Sequence, residues 1–118
     1  MKNLLVIVFL VFSTFAYSQG IKIKWEDKDG REFAITAPSG NFSYGMLVGD
    51  NITYDAYHGK VTRVGSVNIT YDAYHGKVIR VGSVNITYDV QENVYRVGGL
   101  SINYDINGRI SGTSGRVN

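Results

Sequence analysis

Two histidines, His58 and His75, are the only ones in the chain, and each stands in the same string, NITYDAYHGKV, at residues 51–61 and again at 68–78. A tyrosine precedes each, Tyr57 or Tyr74, and an aspartate lies three residues back, Asp55 or Asp72. Imidazole can ligate a metal or move a proton near neutral pH. Carboxylates supply oxygens to Ca²⁺. An exposed tyrosine offers an apolar ring with a polar tip, suited to stacking on a sugar or on another protein surface. Spacing decides among these chemistries. If each copy contributes two strands, equivalent residues lie about two strand widths apart, ~9.5 Å. Two nitrogens bound to one Zn²⁺ at ~2.0 to 2.1 Å each would have to come within roughly 4 Å of one another. The histidines are therefore not expected to share a metal.

The aspartates Asp55, Asp72, Asp89 and Asp105 recur once per copy, too sparsely for a Ca²⁺ loop. Neither an EF-hand loop nor the Gly-Gly-x-Gly-x-Asp repeat is present. Asp at a strand end is expected to accept hydrogen bonds from turn amides. Nucleophilic catalysis lacks its parts as well, for the chain has no Cys and no Gly-x-Ser-x-Gly. The later counterparts of the two histidines are Glu92 and Asn107, whereas a catalytic base would scarcely need duplicating. Glu26 and Asp27 flank a hairpin tip and read as solvated charge rather than as a glycosidase pair. No catalytic residue, metal or cofactor is expected, and the chain is not expected to be an enzyme. Tyr57, His58, Tyr74 and His75 are the expected ligand-binding residues, projecting from adjacent hairpin tips. Arg63, Arg80 and Arg96 recur before Val-Gly and are expected to pair with acidic neighbours across strands. Asn51, Asn68 and Asn85 open Asn-Ile-Thr sequons, read here as polar-face strand residues.

The elements that position these residues follow from four tandem copies, at 51–65, 68–82, 85–98 and 101–112. Tyr54, Tyr71, Tyr88 and Tyr104 are spaced 17, 17 and 16 residues apart. So short a period implies one supersecondary unit per copy, unable to bury its apolar side alone. Val67, Ile69 and Tyr71 alternate with Asn68, Thr70 and Asp72, the period of a strand. AYHG then supplies turn residues, and KVIRV is a second β-rich run. Each copy is expected to be a β-hairpin; a competing reading joins KVIRVGSVNITYD into one long strand with a bulge at Gly82. The predicted repeat core is Ile52, Tyr54, Ile69, Tyr71, Ile86, Tyr88, Ile102 and Tyr104.

Upstream, IKIKWEDKDGREFAIT alternates around Asp29-Gly30 and predicts a hairpin, residues 37–41 form a turn cluster, and Phe42 to Val48 reads as one more strand. The fold class is all-β: an antiparallel meander of eight to eleven strands, as a single curled sheet or an open barrel. Its apolar face cannot stay in water. It must curl on itself, lie under the Trp25 hairpin or dock on another copy, and curling and self-association are the two outcomes expected.

Residues 1–18, MKNLLVIVFLVFSTFAYS, place Lys2 before an apolar run and end in small residues, the pattern of a signal peptide helix cleaved near Ser18. The run is shorter than the ~20 residues of a membrane span, so no span is expected in the mature chain. The domain plan is then a leader at 1–18, an N-terminal hairpin with a capping strand at 19–47, and the repeats at 48–118. The formal charge of +2 for the whole chain falls by one when Lys2 leaves, and the charges are interspersed, so no nucleic-acid partner is implied. With no Cys, an exported domain of this size must draw its stability from burial and strand pairing.

The strings YDAYHGKV at 54–61 and 71–78 and YDINGRI at 104–110, with a degenerate YDVQENV at 88–94, resemble the YD repeats of Rhs-type bacterial proteins and teneurins. The resemblance covers about half of the mature chain. It implies β-hairpins strung into a curving sheet. Four copies are too few for the cargo-enclosing shell of the large members, and nothing here resembles their protease or toxin regions. The chain is also similar to small signal-bearing repeat proteins of Bacteroidetes-type bacteria, which transfer no activity. The expected function is thus a non-catalytic exported binding module with a glycan or cell-surface protein as partner. The alternative is a self-associating, homo-oligomeric structural protein of the cell envelope.

Overall fold

Ile23 and Trp25 alternate with lysines and Glu26 along IKIKWE, which puts one apolar face on strand β1 (Ile21–Glu26). β1 pairs antiparallel with β2 (Glu32–Ala37), from Ile21 opposite Ala37 to Glu26 opposite Glu32, and β2 pairs in turn with the short β3 (Phe42–Tyr44). The computed structural model describes residues 20–118, so the expected leader at 1–18 lies outside the described residues. β3 stops at Tyr44 rather than running to Val48, because Gly45 turns back to the Glu32 carbonyl and residues 47–50 close a tight turn. Among the described residues there is no helix, so none is long and apolar enough to cross a membrane.

The remaining strands, β4 (Ile52–Tyr54), β5 (Val61–Val64), β6 (Val67–Tyr71), β7 (Val78–Val81), β8 (Val84–Tyr88), β9 (Val94–Val97), β10 (Leu100–Tyr104) and β11 (Ile110–Ser114), form one eight-stranded antiparallel sheet. Neighbours in the sheet are neighbours in sequence, so the sheet is a meander with free edges at β4 and β11, not a barrel. Each copy is two strands. Gly65-Ser66, Gly82-Ser83 and Gly98-Gly99 are two-residue turns whose first glycine has φ near +60°, the conformation tight hairpin connections favour. Gly82 is therefore a turn residue and not a bulge in one long strand.

The bulges lie elsewhere, one per hairpin. Thr70 pairs with Arg80 while Tyr71 pairs with Val78, leaving Ile79 as the extra residue; Thr62, Tyr95 and Ser111 occupy the same place in the other hairpins. An extra residue resets the alternation. Val78 and Val81, three apart, consequently both face inward and are buried, as are Val94 and Val97.

The sheet is not closed into a barrel, and its apolar face has a cover within the chain. The three-stranded sheet covers it: Ile23, Trp25, Phe33, Ile35 and Ala37 form one buried cluster with Ile69, Val81, Ile86, Val97 and Ile102. Each isoleucine, valine or phenylalanine among them contributes about 1.5–3 kcal/mol when removed from water. Of the predicted repeat core, Ile69, Ile86 and Ile102 are buried and Tyr71, Tyr88 and Tyr104 pack partly buried against them. Ile52 and Tyr54 depart from that expectation, with Ile52 half-buried and Tyr54 58 % exposed. Both lie on β4, the edge strand, where no earlier hairpin covers them.

Candidate functional site

The repeat Tyr is a staple between hairpins. Adjacent hairpins share a ladder of only two pairs, such as Arg63 with Asn68 and Val64 with Val67. Beyond it the Tyr71 hydroxyl donates to the Val61 carbonyl at 2.7 Å, ten residues back in the preceding hairpin. Tyr88 does the same to Val78 at 2.7 Å, and Tyr104 to Val94. Lys60 Nζ lies 5.0 Å above the Tyr71 ring and Lys77 Nζ 5.5 Å above that of Tyr88. Burial disfavours the phenolate, and the aspartate of the preceding hairpin, Asp72 or Asp89, adds repulsion. Tyr88 and Tyr104 are both pushed up to about 12.

One residue beyond each staple, the aspartate holds the loop. The Asp55 carboxylate accepts from the amides of Tyr57 at 3.1 Å and His58 at 3.0 Å, and Asp72 from those of Tyr74 and His75, both at 3.0 Å. These amides keep Asp55 and Asp72 below the usual carboxylate range. Asp89 and Asp105 bond amides of their own shorter loops in the same way. The aspartates thus cap turns.

Loops of one kind, capped by aspartate at one end of a meander, put their tips on one rim. Tyr57 and Tyr74 are 90 % and 91 % exposed there, so neither ring covers its own hairpin. Each stands beside its histidine with the same geometry, ring centres 6.3 Å apart and planes at 52°. His58 Nδ1 lies 3.1 Å from Asp55, and His75 Nδ1 3.3 Å from Asp72. His75 Nε2 also reaches Glu92 of the next loop at 3.1 Å, a contact His58 lacks among the described residues. Beneath the tips run two grooves, each between neighbouring hairpins: about 530 Å³ between Asp55, His58, Lys60, Tyr71 and Tyr74, and about 490 Å³ between the equivalent Asp72, His75, Lys77 and Tyr88. Among the described residues no three His, Cys, Asp or Glu side chains cluster to hold a metal ion.

Two features escaped the sequence reading. Asp27 is not free charge at a hairpin tip. Arg31, the one buried charged residue among those described, meets Asp27 at 2.8 Å, Asp29 at 3.0 Å and Asp50, through two nitrogens, at 2.8 Å. The pair draws Asp50 down to about 2. This clamp ties the N-terminal hairpin to the connection before β4 and packs on the β5–β6 turn, where a Cβ on Gly65 would overlap the guanidinium and come within 2.6 Å of Asp50 Oδ1. Second, the N-terminal loop is built like those of the repeats. Asp27 bonds the amides of Asp29 and Arg31 as Asp105 bonds those of Asn107 and Arg109, and DKDGR at 27–31 parallels DINGR at 105–109. That shared spacing was the available signal.

Comparison with family models, curated proteins and solved structures finds no match for this chain.

Proposed function

We propose that the chain is a non-catalytic exported β-repeat module that binds a glycan or a protein surface through the rim of loops 55–60 and 72–77. The observation that carries this reading is the pair of tip tyrosines, 90 % and 91 % exposed in loops whose backbones are tied down by aspartate caps. Aromatic rings held open to solvent on a rigid support lose little conformational freedom on binding, the condition for useful affinity from a small contact. Between them the grooves supply histidine, aspartate and lysine groups that can bond hydroxyls or polar backbone groups at the side of a stacked ring. Export rests on the leader pattern at residues 1–18. The hairpin-per-copy geometry supports the kinship with YD repeats as part of the same proposal.

A glycan array probed with the wild-type chain and with a Tyr57→Ala, Tyr74→Ala double variant tests the reading. Both tips sit away from the core, so the double variant is expected to melt like the wild type. Loss of array binding in the double variant supports the rim, whereas binding that is undiminished removes it.

A further inference from the structure

The first repeat hairpin, β4–β5 (hairpin 1), exposes at its outer edge the surface that the second, β6–β7 (hairpin 2), uses inside the sheet. Residues 51–61 and 68–78 are identical. In hairpin 2 those residues dock on hairpin 1: the Tyr71 hydroxyl bonds the Val61 carbonyl at 2.7 Å, its ring lies under Lys60, and the Gly76 carbonyl accepts from Lys60 Nζ at 3.1 Å. The counterparts in hairpin 1 are Tyr54 and Gly59. They belong to β4 and its loop, at the free end of the sheet, and Tyr54 is 58 % exposed. The opposite free edge, β11, offers the matching half. Arg109 replaces Lys60 as the cation, and Ile110 replaces Val61, each standing directly before the extra residue of its bulge. One edge therefore carries a repeat tyrosine that staples no earlier hairpin, its hydroxyl meeting Tyr44 of β3 but still able to donate, and the other edge carries the carbonyl in the matching position.

We infer that β4 of one molecule docks on β11 of a second copy, carrying the interface between hairpins across molecules. The Tyr54 hydroxyl donates to the Ile110 carbonyl of the neighbour, and Arg109 of the neighbour lies over the Tyr54 ring. Unpaired backbone groups on both edge strands supply the ladder. By analogy with Arg63 opposite Asn68, Gly112 of one copy faces Asn51 of the next. The two edges differ, so the contact is head to tail and does not close as a dimer; copies add into a filament. Gly59 belongs to rim loop 55–60, so the rim would continue from copy to copy along the same side.

Sedimentation equilibrium over a wide concentration range tests this on the wild-type chain. The expected result is a mass rising past dimer without a plateau, with association about tenfold weaker in Tyr54→Ala, as the loss of one buried hydrogen bond implies. A mass that stays at monomer, or stops at dimer, overturns the inference. The absence of native Cys allows a second arm. On oxidation, the Asn51→Cys, Gly112→Cys double variant is expected to give a ladder of dimers, trimers and larger species, while each single variant stays uncrosslinked. Equal crosslinking in either single variant would mean symmetric edge pairing and would also overturn it.

Discussion

Replacing Tyr88 by Phe keeps the ring in place and removes only the hydroxyl that bonds the Val78 carbonyl at 2.7 Å. That carbonyl lies where the ladder between hairpins has ended, so its lost partner is not replaced by a neighbouring strand. A hydrogen bond of this kind contributes about 0.5–1.5 kcal/mol, and a stranded acceptor raises the cost toward the upper end. For a domain of ~100 residues each kcal/mol shifts the melting temperature by roughly 4–8 °C. Tyr88→Phe is thus expected to melt about 4–12 °C below the wild type. Tyr71→Phe and Tyr104→Phe should behave alike, since each removes the equivalent bond. Tyr57→Phe is the internal control: its side chain is 90 % exposed at a loop tip, and the expected change is within about 0.5 kcal/mol. Thermal and urea melts followed by Trp25 fluorescence and far-ultraviolet dichroism measure all four. A cost for Tyr57→Phe equal to that for Tyr88→Phe, or no cost for Tyr88→Phe, would refute the staple.

Three further outcomes follow from the same contacts. Tyr88 and Tyr104 are pushed from 10.0 up to about 12, so their contribution is fully present below pH 10 and is lost as pH rises from there through about 12; urea midpoints should fall across that window, and less so in the Tyr88→Phe variant. At the acid end, Asp50 is lowered from 3.8 to about 2 by Arg31, so its contribution is present above pH 3.8 and lost as pH falls toward 2, a loss that Asp50→Asn should abolish. Glu92 holds φ at 68° where the equivalent loop positions carry Gly30 and Gly108. Its left-handed conformation costs about 1–2 kcal/mol, against roughly 0.5–1 for the greater freedom of an unfolded glycine, so Glu92→Gly should stabilise the fold by about 0.5–1 kcal/mol in urea melts.

The hairpin unit was legible because three local signals agree: alternation in VNITY, an Asp-led loop, and a Gly-Ser turn that separates KVIRV from the next copy. The aspartate role was legible too, since a carboxylate one residue past a strand meets the amides of its own loop. What covers the apolar face was not. Period-two patterning shows that a face is apolar but not which part of the chain lies on it. Trp25 and Phe33 were visible as apolar strand residues without any mark of their partner. The three-residue interval from Val78 to Val81 breaks a simple strand pattern, and only pairing shows the bulge at Ile79 that repairs it. Arg31 failed for a different reason. Charges beside a turn are usually solvated, and the residue that buries this one, Asp50, lies 19 positions away in a segment with no strand pattern. Tyr54 was misjudged because identical sequence does not give identical burial when one copy ends the sheet.

Contacts between protons in solution test the central claim most directly. A nuclear Overhauser spectrum of the ¹³C-labelled chain should link the Tyr71 ring to Val61, the Tyr88 ring to Val78 and the Tyr104 ring to Val94, and should link Trp25 and Phe33 to the valines and isoleucines of the repeats. Rings without those contacts ten residues back, or repeat valines that touch only one another and never Trp25 or Phe33, would contradict a stapled meander covered by its own N-terminal hairpin.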